Sequence, residues 1–136
     1  MLLIYYINLY CKYMIHLLEK QTLKKWLAND EVFLIDVREQ SEYDEANIEG
    51  SILIPVGQIT LSEVIKKNIN NKKIAIHCKL GGRSMMACKK LVAENPEIEV
   101  WNVEGGITAW LNIDSKDNNI AGNCSIGNNK NAGCAS

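Results

Sequence analysis

The chain has 136 residues, 47% of them apolar and 23% charged, with a formal net charge of −1. That balance fits a single globular domain with one modest core. It excludes a basic footprint for nucleic acid or an anionic membrane, so any anion binding has to be local.

Met1 to Leu18 is mostly apolar, interrupted by Asn8, Lys12 and His16. It has no basic stretch ahead of the apolar run and no small-residue cleavage site, the first alanine being Ala28. Residues 1–13 are therefore read as an apolar extension, with Met14 an alternative start. A membrane anchor of marginal length is the other reading. Ile15 to Leu18 suits a first strand. Leu23, Trp26 and Leu27, three and four apart, share one face of a helix over Thr22 to Asn29, with Thr22 as its cap. Val32 to Asp36 is a continuous apolar run ending in a carboxylate, the pattern of a parallel strand buried on both faces. A short helix follows over Ser41 to Ala46, capped by Ser41. Ile52 to Ile54 is a third strand closed by Pro55. Leu61 to Asn68 is a helix with Leu61, Val64 and Ile65 inward. Lys73 to His77 is the fourth strand, Ser84 to Glu94 a helix ended by Asn95-Pro96, and Glu99 to Val103 the fifth strand. Gly105-Gly106 turns the chain into a last helix over Ile107 to Leu111. Strands alternating with helices predict an α/β fold, a five-stranded, mostly parallel sheet with helices on both faces. From Asn112 the composition changes to seven asparagines and three glycines with almost no apolar periodicity. Residues 112–136 are read as a flexible tail.

The five cysteines are Cys11, Cys78, Cys88, Cys124 and Cys134. An odd count without Cys-x-x-Cys spacing argues against a disulfide framework, and with only two histidines it argues against structural zinc. Reduced thiols and a cytoplasmic setting are expected. The segment from His77 to Ser84 carries the chemistry. Cys78 lies between a strand and a helix, where ligands bind in open α/β sheets. A loop curling into a helix N-terminus points backbone N–H groups inward, and these with the helix dipole stabilise an anion. Gly81 and Gly82 permit the tight, partly left-handed backbone. Lys79 and Arg83 add cations. The combination predicts an acidified, nucleophilic Cys78 thiolate.

Cys78-Lys79-Leu80-Gly81-Gly82-Arg83-Ser84 resembles the active-site loop of rhodanese domains. Leu34 to Glu39 with Glu42-Tyr43, Ile48 to Ile52 with Ile54-Pro55, and Val103 to Gly106 with Ala109-Trp110 resemble three further segments of that family. The likeness runs from about Ile15 to Leu111, and residues 14–111 are taken as one rhodanese-like domain. Asn47 stands where the family often has histidine. Cysteine-dependent phosphatases place five residues between cysteine and arginine; four separate Cys78 from Arg83, the shorter loop.

The resemblance implies a sulfurtransferase that moves a sulfane sulfur from thiosulfate or a similar donor to a thiol, cyanide or protein acceptor through a Cys78 persulfide. The alternative is a persulfide carrier that delivers sulfur to a partner protein. The backbone of Lys79, Leu80, Gly81, Gly82, Arg83 and Ser84 would hold the persulfide. Arg83 has two readings, attracting the donor anion or tying the loop to a carboxylate. Asp36 and Arg38 are expected to hold loops near the site through ion pairs. Cys88 is read as packing, and Trp26, Trp101 and Trp110 as core or core-edge. Cys124 and Cys134 are either incidental thiols or a tethered sulfur acceptor. No metal, organic cofactor or nucleic-acid partner is implied.

Overall fold

The structure is a computed structural model that describes residues 2–3 and 14–112. The apolar extension read over residues 1–13 and the tail with Cys124 and Cys134 lie almost wholly outside those residues. Five strands, β1 (Ile15–Leu18), β2 (Val32–Asp36), β3 (Ile52–Leu53), β4 (Lys73–His77) and β5 (Val100–Val103), form one sheet in the order β1-β5-β4-β2-β3. Every pairing is parallel, so the sheet is wholly rather than mostly parallel. The helices are α1 (Lys20–Ala28), α2 (Gln40–Glu45), α3 (Leu61–Lys67) and α4 (Gly82–Glu94), with a last one, α5, over residues 106–112. Among the described residues, no helix is long and apolar enough to cross a membrane.

The two faces of the sheet bury two separate apolar clusters. On one, Ile35 of β2, Ile76 of β4 and Val100 of β5 pack with Val64 of α3 and Ala87, Cys88, Leu91 and Val92 of α4. On the other, Leu34, Ala75 and Val103 pack with Leu23 of α1 and Ile107 at the start of α5, edged by Trp26, Trp101 and Trp110. Successive strand residues point to opposite faces, and both faces are covered. That is why β2 and β4 are apolar throughout most of their length rather than alternating.

Several boundaries differ from the sequence reading. Helix α1 starts at Lys20, two residues before Thr22, and its N-cap Glu19 makes no side-chain cap bond. Burial of Leu23 sets this start, not a cap. Helix α2 starts at Gln40 behind a reciprocal capping box, in which Glu39 accepts from the Glu42 backbone and Glu42 from the Glu39 backbone. Ser41, the expected cap, is inside the helix. Ile65 faces solvent at 61% exposure, and Val64 alone of α3 is fully buried. Helix α4 begins at Gly82, which draws the glycine and Arg83 out of the loop and into its first turn.

Candidate active site

Strand β4 lies in the middle of the sheet, between β5 and β2, and Cys78 follows its last residue. The thiol is 2% exposed and belongs to the cluster under α4. From there the chain turns through Lys79 and Leu80, both exposed, to Gly81, the N-cap of α4. Gly81 has φ +123°, a conformation that side chains with a Cβ strongly disfavour. Gly82 is not left-handed; it is the first residue of the helix. The tight backbone expected of both glycines thus falls on Gly81 alone.

The turn aims donors at the sulfur. The Gly81 N–H donates to Cys78 Sγ at 3.1 Å, and the Ser84 hydroxyl lies 3.4 Å from it. Burial is the largest single influence on this thiol and pushes its pKa up. The hydrogen bonds of the Ser84 hydroxyl and of the Ser84, Gly81 and Leu80 backbone together outweigh burial, and the pKa falls below the ordinary thiol value. A thiolate here is held by peptide dipoles at the start of a 13-residue helix.

The outer side of the loop is fastened by α5. The Ile107 N–H donates to the Cys78 carbonyl at 2.9 Å and the Thr108 N–H to the Lys79 carbonyl at 3.2 Å. Gly106 makes this approach possible. A Cβ there would lie 2.5 Å from both the Cys78 and Lys79 carbonyl oxygens, and its φ is +56°.

The charged residues divide sharply. Arg83 forms a two-pronged pair with Glu42 of α2, at 2.7 and 2.9 Å. That pair holds the Glu42 carboxyl down at about 2 and raises the guanidinium. Of the two readings of Arg83, the geometry has the tie to a carboxylate. Sequence reasoning assigned Glu42 no role: it is 41 positions away, and only the fold joins them. Arg38 is paired with Asp36 inside the protein. Its Nε and Nη2 donate to the carboxylate at 2.9 and 2.7 Å, and Nη2 also reaches the Ala46 carbonyl at 2.7 Å. This buried pair ties the end of β2 to the residue after α2. His77, opposite Asp36 in the register of β2 and β4, is fully buried. Its Nδ1 is 3.3 Å from the Cys78 carbonyl. Its Nε2 stands 3.6 Å from Asp36 Oδ2, too far for a hydrogen bond, and has no other partner among the described residues. Burial lowers its pKa and favours the neutral ring.

Lys79 lines a cleft of ≈ 240 Å³ beside the loop, with Arg38, Glu42, Glu45, Thr108 and Leu111. Arg38 and Arg83 are each matched by a carboxylate. Cys88, on the buried side of α4, has its thiol pushed up to about 12 by burial, which makes it inert beside Cys78. Asn102 of β5, to which the sequence reading gave no function, is buried and bonds to the Ser84 hydroxyl. The signal was present: an amide in a strand buried on both faces needs a partner.

The profile of the rhodanese-like domain family matches residues 19–113. A Bacillus subtilis protein named putative sulfurtransferase YtwF is 37% identical over 83 residues, covering 61% of this chain and 77% of that one. A Pyropia yezoensis protein named probable molybdopterin-synthase adenylyltransferase is 33% identical over 93 residues, which are 67% of this chain and 24% of the larger protein. The solved structure of reduced Bacillus anthracis CoADR-RHD superposes with a TM-score of 0.63 at 27% identity, over 77% of this chain and 18% of that one. The chain thus spans about a quarter or less of the longer proteins it matches, and most of the shorter one.

Proposed function

The chain belongs to the rhodanese-like domain family, and from that premise we propose that it transfers sulfane sulfur as a persulfide on Cys78. The observation that supports this most directly is the thiol at the end of β4 facing the Gly81 N–H and the Ser84 hydroxyl. The Cys78 thiolate attacks the outer sulfur of a donor such as thiosulfate. The S–S bond of the donor breaks, sulfite leaves with its electron pair, and the outer sulfur stays on Cys78 as a persulfide. The negative charge now sits on the terminal sulfur, near the Leu80, Gly81 and Ser84 N–H groups that face Cys78 and would receive it. An acceptor, cyanide or a thiolate, then attacks that terminal sulfur, and the Cys78 thiolate is the leaving group. Two successive displacements at one enzyme sulfur predict ping-pong kinetics.

The test is thiocyanate formation from thiosulfate and cyanide, wild type against Cys78→Ser. Loss in the variant supports Cys78 as the sulfur carrier; full activity in the variant would sink the assignment. The second reading is a carrier that passes sulfur to a partner protein, favoured by the likeness to one stretch of a much larger protein named for adenylyl transfer and by the matched carboxylates at the mouth. A carrier gains one sulfur in intact mass after donor treatment yet turns over thiosulfate and cyanide slowly. We further propose Cys124 and Cys134 as tethered acceptors. Truncation after Leu111 tests this: unchanged transfer to added thiols would exclude it.

A further inference from the structure

The Ser84 hydroxyl carries one proton, and three groups stand around it. They are the Asn102 Oδ1 at 2.5 Å, the Gly81 carbonyl at 3.1 Å and Cys78 Sγ at 3.4 Å. An oxygen–oxygen distance of 2.5 Å lies at the short end of the O–H···O range and is too short for N–H···O. This orients the amide, with its oxygen toward Ser84 and its Nδ2 toward the Gly81 carbonyl, 3.4 Å away. The hydroxyl proton therefore points at Asn102. In that arrangement Cys78 bonds to Ser84 only by donating its own S–H to the hydroxyl oxygen, which a thiolate cannot do. For Ser84 to stabilise a thiolate, its proton has to swing from Asn102 to the sulfur. The Asn102 oxygen is then left in a residue only 4% exposed.

We infer that Asn102 is a positioning residue that competes with Cys78 for the Ser84 proton and so weakens the hold of the Ser84 hydroxyl on the unloaded thiolate. Once Cys78 carries sulfur, its inner atom has no charge to stabilise. Ser84 then keeps its bond to Asn102 at no cost. The inference rests on Cys78 as the reacting thiol, and it gives β5 a part in the chemistry that the loop alone does not show. The other groups facing Cys78 are accounted for. From β4, His77 meets its carbonyl, and burial favours its neutral form. From α4, Arg83 feels the thiolate charge but is paired with Glu42 of α2, and Cys88 stays protonated. At the end of β2, Asp36 is paired with Arg38, which lies just beyond the strand and lines the cleft beside the loop. Lys79 is exposed on the loop itself.

The experiment follows iodoacetamide alkylation of the Cys78 peptide by mass spectrometry across pH, in the full-length chain. This needs no sulfur transfer, so its outcome is separate from that of the proposed function. In Asn102→Leu, which keeps the branched shape and removes the amide, the midpoint should move to lower pH. Alkylation at a fixed pH below the wild-type midpoint should rise roughly tenfold, the size of one charge-assisted hydrogen bond. Asn102→Ala serves the same test if the leucine variant does not fold. In a Ser84→Ala background the Asn102 substitution should have no effect on the midpoint. An unchanged or raised midpoint, or an equal fall without the Ser84 hydroxyl, would overturn the inference.

Discussion

Arg83, in the first turn of the helix that follows Cys78, is held by Glu42 of α2. Their pair is two-pronged but about a third exposed on each side, which limits it to about 1 kcal/mol. The Glu42 pKa is lowered to about 2 in the folded chain, first by its bonds to Arg83. A carboxyl depressed by folding stabilises the protein above its unfolded pKa of roughly 4.3. That contribution drains away as pH falls through this value toward 2. Glu42→Gln should therefore flatten the acid limb of a denaturant-measured stability profile between about pH 5 and 2, with a small loss near neutrality. An acid limb as steep in the variant as in the wild type would contradict the pairing. Asp36 and Arg38 differ by being buried. Removing either partner leaves a charge without water, at a cost of about 3–5 kcal/mol.

At the scale of elements, the strands were the most legible part of the sequence, because burial on both faces leaves runs such as Val32 to Asp36 without polar interruption. Helix starts were less so. Thr22 and Ser41 are good caps by type, yet α1 starts where Leu23 is best buried and α2 starts where Glu39 and Glu42 bond reciprocally. The loop of Cys78 could be read because its elements are adjacent in sequence. Which residues its supports hold could not: Glu42 and Asn102 lie 41 and 18 positions away from their partners. The junction of α5 with the loop is the most exacting of these supports. Gly106→Ala would drive a methyl into two carbonyls in a left-handed conformation. It should destabilise the fold by about 2 kcal/mol or more and slow alkylation of Cys78 at neutral pH. Thermal melts and the alkylation rate measure the two losses, and a variant with wild-type values for both would show that the junction is not needed.

For the molecule as a whole, the two thiols of the α4 cluster report on different events. Cys88 is fully buried with its thiol at about 12, so in the native state it should resist iodoacetamide while Cys78 reacts. Its modification should begin only with global unfolding, rising across the same denaturant range as the loss of helical circular dichroism. Labelling of Cys88 well before that transition would mean that α4 opens on its own. The fastening of the loop by α5 has another consequence. The amide protons of Ile107 and Thr108 are the very ones bonded to the Cys78 and Lys79 carbonyls, so they exchange with solvent only when that contact lets go. These two amides touch no sulfur, yet their deuterium uptake is a clock for the loop. It should run at one rate for the free thiol and at another once a donor has left its sulfur behind.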